Sequence, residues 1–139
     1  MNILFLSLLL LPIATPVPTP TRPPENVDPL IEIVNQVRVD QGCKYPLKIN
    51  AGLTKAAKER ADYVSSGHWY HDGWTKTVSK YYRYSFAGEN LARYYSNDRK
   101  IVEAWLGSKT HKDVMLNCAY RETGIGRNGS YTVQLFGKK

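Results

Sequence analysis

The sequence predicts an α+β domain in which an antiparallel sheet is covered by helices. Three observations predict it. Two stretches, beginning at Leu30 and at Leu53, place apolar residues on one helical face; a strand-like stretch ends at Arg93; and two further strand-like stretches flank Asn128-Gly129 near the C-terminus. That dipeptide is a strong hairpin signal, because both central positions of the tight turn need positive φ. No internal repeat is visible.

Each element can be justified in order. Asp28 is an N-cap with Pro29 at the first helical position, and Leu30, Ile31, Val34 and Val37 follow on one face until Gly42 ends the helix. A short segment, Lys44 to Ile49, leads to Asn50, a second cap. Leu53, Ala56, Ala57, Arg60, Ala61 and Val64 then form one stripe, whose alanines imply close packing. After Gly67 the pattern breaks into HWYHDGW, a loop crowded with rings that turns at Asp72 and Gly73. A short helix is expected over Thr75 to Tyr82, and a strand over Tyr84 to Arg93, interrupted by Gly88. Asn97 or Asp98 caps a helix through Ile101, Val102, Trp105 and Leu106, and Thr110 caps another running to about Asn117. Thr123 to Arg127 and Ser130 to Phe136 complete the hairpin.

The chain has 139 residues, one domain's worth, with the folded part expected over residues 28–139. Residues 1–14 form an apolar run followed by small residues, of signal-peptide length, though no Lys or Arg precedes it. Secretion is expected, with an uncleaved membrane anchor as the alternative. Residues 15–27 are rich in proline and read as an extended spacer. Lys and Arg number 19 against 12 acids, a net charge of +7 carried wholly after Pro20. A basic surface can meet anionic polymers, although many basic secreted proteins are merely soluble. Cys43 and Cys118 follow an export signal, so an oxidising compartment favours a disulfide between them. Their wide separation lacks metal-ligand spacing.

Four positions are candidates to line a polar cleft: His71, Glu89, Glu103 and His111. Imidazole and carboxylate together can carry a proton or hold a divalent ion. The bland alternatives are a Glu89 that accepts backbone hydrogen bonds at a bend, a Glu103 that is an exposed helix carboxylate, His68 and His71 as ring packing, and Trp105 as core. No His-Glu-x-x-His helix, Gly-x-Ser-x-Gly elbow or phosphate-binding glycine loop is present. Basic residues alternate with tyrosines at Lys80 to Tyr84 and at Arg93 to Tyr95, a composition suited to gripping a sugar polymer or single strand. Asn128-Gly129-Ser130 also matches the N-glycosylation pattern, but the hairpin explains it without a glycan.

Taken together, these pieces resemble the CAP superfamily, also called the SCP domain, in its short secreted microbial branch. The matching residues are the Leu53, Ala56, Ala57, Ala61 stripe, the histidine ending HWYH with Asp72-Gly73, and Gly88-Glu89-Asn90-Leu91-Ala92. Glu103 to Ser108 followed by His111, Thr123-Gly124-Ile125-Gly126, and Thr132 to Phe136 complete the match, which spans Asp28 to Gly137. The resemblance implies a three-layer α-β-α sandwich with a central antiparallel sheet and a cleft lined by histidines and acids. Carried over, the histidines are His71 and His111, and the first acid is Glu89. In some relatives the paired histidines bind zinc or another divalent ion. The second acid falls where this chain has Ser108, so the set of four is incomplete. Glu103 does not replace it, because five helical residues rotate it about 140° away.

Three functions follow as expectations: an extracellular binding module for lipid, sterol or a protein partner; a metal-assisted hydrolase in which His71 and His111 hold the ion and Glu89 orients water; and a cell-wall or glycan adhesin using the basic tyrosine patches. Nucleic acid is disfavoured, and membrane association is expected only if the N-terminal segment stays uncleaved.

Overall fold

The computed structural model describes residues 27–139. The expected leader and nearly all of the spacer lie outside the described residues. Among the described residues five helices and four strands follow in the order α1 (Pro29–Asp40), β1 (Lys48–Ile49), α2 (Ala51–Ser65), α3 (Trp74–Tyr81), β2 (Phe86–Arg93), α4 (Asp98–Leu106), α5 (Lys109–Met115), β3 (Glu122–Asn128) and β4 (Tyr131–Lys138).

The caps form where short polar side chains precede the apolar stripes. An Asp28 oxygen accepts from the Leu30 N–H at 3.0 Å. Asn50 Oδ1 accepts from Gly52 and Leu53 at 2.9 and 3.1 Å. Asn97 Oδ1 accepts from Lys100 at 3.1 Å. Each such cap satisfies N–H groups that the helix itself leaves unpaired. α1 stops at Asp40, and Gly42 takes the φ of +94° that reverses the chain.

The sheet order is β1-β3-β4-β2. β3 and β4 form the expected hairpin around Asn128-Gly129, and β2 pairs antiparallel with β4 from Phe86 opposite Lys138 to Arg93 opposite Tyr131. Two expectations are corrected here. β1 runs parallel to β3, so the sheet is mixed at that edge. β2 is not interrupted at Gly88, which pairs in register with Phe136. Glycine is required there for another reason: a Cβ would lie 2.4 Å from the Tyr120 hydroxyl.

The sheet is the middle of three layers. Phe136 faces α1, α4 and α5 in a cluster with Leu30, Ile31, Val34, Trp105 and Met115. Val133 and Leu135 face α2 and α3, against Leu53, Ala56, Ala57, Ala61 and Val78. The alternation along β4 is the period of two that sends successive side chains to opposite faces. α2 lies directly on β3, because Gly126 has no side chain and Ala57 has a small one. A Cβ at Gly126 would sit 2.0 Å from the Ala57 carbonyl oxygen. Gly126→Ala is therefore expected to destabilise the fold by about 1–3 kcal/mol through overpacking. Thermal unfolding checks it, and an unchanged midpoint would show that α2 can lift off the strand without cost.

Cys43 and Cys118 form the expected disulfide, closing a separation of 75 residues. Next to it, the wholly buried Arg38 reaches from α1 to the end of α5. It donates to the carbonyls of Met115 and Asn117 at 2.7 and 3.0 Å and of Tyr120 at 3.3 Å. Of these, the Met115 carbonyl is one that the helix end leaves without a partner, and the other two lie in the turn that follows.

Candidate functional site

The candidate site lies at the β2 edge of the sheet, where the loop after α2, the end of β2, and helices α4 and α5 meet. His71 belongs to the HWYHDGW loop, whose position is set by Arg60. Its side chain is 2% exposed. It donates to both carboxylate oxygens of Glu89, from Nε at 2.7 Å and Nη2 at 3.1 Å, and to the carbonyls of Asp72 and Tyr70, both at 2.9 Å. One buried cation thus joins helix, strand and loop, in the forked geometry that suits arginine to carboxylate. Glu89 Oε1 also accepts from His71 Nδ1 at 3.0 Å. The bend reading of Glu89 gives way to this: the carboxylate orients His71 and neutralises Arg60.

His111 enters from α5. The expected cap at Thr110 is corrected to Ser108, which stands at the N-cap with helix beginning at Lys109. The Ser108 hydroxyl makes no capping bond and instead meets His111 Nδ1 at 2.9 Å. Asn90, beside Glu89 on β2, donates from Nδ2 to the His111 carbonyl at 3.0 Å, fixing α5 against the strand. The rings of His71 and His111 have centroids 6.4 Å apart and are tilted by 47°. Both Nδ1 atoms are engaged, so their orientation is set from behind.

Burial, then the neighbouring His71, pushes the His111 pKa below its usual 6.5. The sign follows from linkage: the unfolded chain takes up this proton first, so stability is full above 6.5 and declines as pH falls through the interval between the unfolded and folded pKa values. His111→Gln is expected to remove this part of the decline between pH 7 and 5. A variant whose stability falls as steeply as the parent's would show that other groups cause it.

The remaining candidates separate. Glu103 is exposed and pairs with Lys100 at 2.7 Å, away from the cleft. Trp105 is 2% exposed and donates from Nε1 to the Leu91 carbonyl at 2.9 Å, so it is core, with one edge forming the cleft floor. His68 stacks on Tyr63 at 4.2 Å and lies outside the cleft. Arg93, Tyr94 and Tyr95 join the cleft, whereas Tyr81, Tyr82 and Arg83 line a separate depression with Lys139.

The cleft measures about 510 Å³ and is open to solvent. Besides the histidines, Ser108 and Trp105, its wall carries Trp69, Tyr70, Arg93, Tyr94 and Tyr95. The Arg93 guanidinium lies 4.4 Å from the Trp69 ring and 5.6 Å from the Tyr94 ring. Sequence reasoning missed Arg60, although a charge inside an alanine stripe that must be buried is itself a signal for a hidden carboxylate. It also missed that Trp69 and Arg93 would stack.

The donor set for a metal is two imidazoles. Among the described residues no third His, Cys, Asp or Glu completes a ligating group. Glu89 is committed to Arg60 and His71. A structural zinc takes four protein ligands and a catalytic one three, so these residues do not fit such a centre.

Fold and geometry together define a small α-β-α sandwich with an open, histidine-bearing cleft at its edge strand. The chain belongs to the cysteine-rich secretory protein (CAP) family, whose model matches residues 31–136. It is 30% identical over 120 residues to the uncharacterized protein YkwD of Bacillus subtilis (strain 168), an alignment covering 78% of this chain and 46% of YkwD. Among solved structures, it is similar to an extracellular SCP-domain protein from Bacillus anthracis str. Ames. The TM-score is 0.75 at 19% identity, over 80% of this chain and 39% of that one. An outer surface protein of Borrelia burgdorferi matches with a TM-score of 0.71 at 25% identity, over 79% and 90%. The chain therefore spans less than half the length of YkwD and of the Bacillus anthracis protein. No helix among the described residues is long and apolar enough to cross a membrane.

Proposed function

We propose that this chain is an extracellular binding module that holds a polysaccharide in the cleft between the HWYHDGW loop, β2 and α5. The observation that carries this reading is the aromatic wall. Tyr70 and Tyr94 are 71% and 68% exposed and stand with Trp69 and Tyr95 around one open cavity. Large rings left in water are unfavourable unless a ligand covers them, and flat faces suit sugar rings as they suit bases. The three functions expected from sequence divide on this point. The hydrolase loses support because its metal donors number two. A lipid or sterol ligand needs a continuous apolar groove, and in the candidate cleft the apolar lining of Leu91, Ala92 and Ala104 is interrupted by Arg93, Ser108 and the two histidines. Its neighbours in structure include extracellular and outer-surface proteins, which supports a role outside the cell. An export leader at residues 1–14 would deliver it there.

Tryptophan fluorescence during titration with oligosaccharides tests the reading. Trp69→Ala is expected to weaken binding at least tenfold, about 1.4 kcal/mol. Equal affinity of parent and variant would move the ligand away from this cleft.

One second reading has an observation of its own. At the opposite edge of the sheet an apolar groove of about 700 Å³ runs along Ile31, Pro46, Leu47 and Ile49. A lipid or sterol ligand belongs there, and Ile49→Asp, at a groove residue that is 48% exposed, should abolish uptake of a fluorescent sterol without touching polysaccharide binding.

A further inference from the structure

The cleft does not end at the histidines. Across Arg93 and Tyr95, which line both, it meets a second cavity of about 280 Å³ bounded by Asn97, Asp98, Arg127, Ser130 and Thr132. The two halves differ in charge. Arg93 sits in the first with its guanidinium carbon 4.4 Å over the Trp69 ring and, among the described residues, with no carboxylate in salt-bridge range. In the second, Arg127 is shared between Asp28 at 2.8 Å and Asp98 at 3.0 Å, one cation between two acids. Hydroxyls and amides make up most of the remaining wall.

We infer that the groove takes a polysaccharide in which an acidic sugar alternates with a neutral one, the carboxylate meeting Arg93 and the neutral unit lying in the second cavity. The inference rests on the polysaccharide reading above and names the ligand's charge pattern. A guanidinium stacked on an aromatic ring keeps its N–H edge free, and that edge matches a planar carboxylate with two parallel hydrogen bonds. The stacking also holds the cation in place before the ligand arrives, which lowers the ordering cost of binding. A second carboxylate in the next position would meet Asp98, the one acid lining that cavity, beside an Arg127 already held by Asp28 and Asp98, so it finds like charge without a free cation of its own. The net charge of +7 attracts the polymer without specifying where its acids go.

The test uses the full chain and four probes by calorimetry at pH 7.5 and low salt. These are a hyaluronan hexasaccharide, in which glucuronate alternates with N-acetylglucosamine; chitohexaose, which is neutral throughout; hexagalacturonate, which is acidic at every unit; and a poly(glycerol phosphate) chain, which carries phosphate in place of carboxylate. The expected order is hyaluronan at least tenfold tighter than any of the others. Arg93→Gln should bring hyaluronan down to the affinity that the same variant shows for chitohexaose. Asp98→Asn should improve hexagalacturonate several-fold relative to hyaluronan.

Equal binding of hyaluronan and chitohexaose, both lost in Trp69→Ala, would overturn the charge pattern and leave the polysaccharide reading standing. No binding of any probe, with Trp69→Ala inert, would overturn both. Hexagalacturonate as the tightest ligand would overturn the alternation, and a poly(glycerol phosphate) chain binding more tightly than hyaluronan would overturn the carboxylate.

Discussion

Arg60→Ala lowers the stability of the folded domain by about 3–5 kcal/mol, because it leaves the Glu89 carboxylate buried without its cation. Both side chains are shielded, at 2% and 1% exposure, so water does not replace the lost partner. The same substitution frees the carbonyls of Tyr70 and Asp72, each held at 2.9 Å. Stabilities of small domains run to about 5–15 kcal/mol, so one substitution removes a large share. Urea unfolding measures it. The ion pair itself is not what the fold depends on: an Arg60→Met, Glu89→Leu double variant should recover most of the loss, since a well-packed apolar pair can match a buried ionic one. A double variant no more stable than Arg60→Ala would contradict this account. It would place the cost in the loop carbonyls rather than in the stranded charge.

Replacing Cys43 and Cys118 with serine should cost about 4 kcal/mol. The chain-entropy account assigns this to the freedom regained by an unfolded loop of 75 residues. The loss should appear in the unfolding midpoint at unchanged pH and should be reproduced by reducing the parent protein. Arg38 shares the duty of holding α5 to α1, donating to three carbonyls at its end, so the reduced protein should keep its secondary structure. A circular dichroism spectrum that collapses on reduction at 25 °C would mean that Arg38 does not suffice.

Much of the architecture was legible in the residues. Asp28 and Asn50 announce their helices, and Asn128-Gly129 announces the hairpin, because each of these effects is local and depends on neighbours in sequence. β1 was not legible as a strand. Two residues carry no period, and its parallel pairing with β3 depends on where the chain has travelled in between. Gly88 misled for the opposite reason. A glycine in a strand commonly marks a bulge, but here it makes room for Tyr120, which lies 32 positions further along the chain. His71, Glu89 and His111 were candidates from their own chemistry and Ser108 came from family resemblance; the structure brings the four together in two hydrogen-bonded pairs. Arg60 was in plain view within the Leu53 to Val64 stripe. Its partner was hidden because charge pairing across 29 residues leaves no periodic trace.

The bond between Cys43 and Cys118 also bears on what happens when a protease meets the domain. The exposed ring-rich loop from Gly67 to Gly73 lies between the two cysteines, as do α3, the turn after β2, and the start of α5. A protease that nicks any of them cuts the backbone without releasing a fragment, since both pieces remain joined through sulfur. Strand β2 would stay paired with β4, and a clipped molecule could persist in one piece until a reductant separates it.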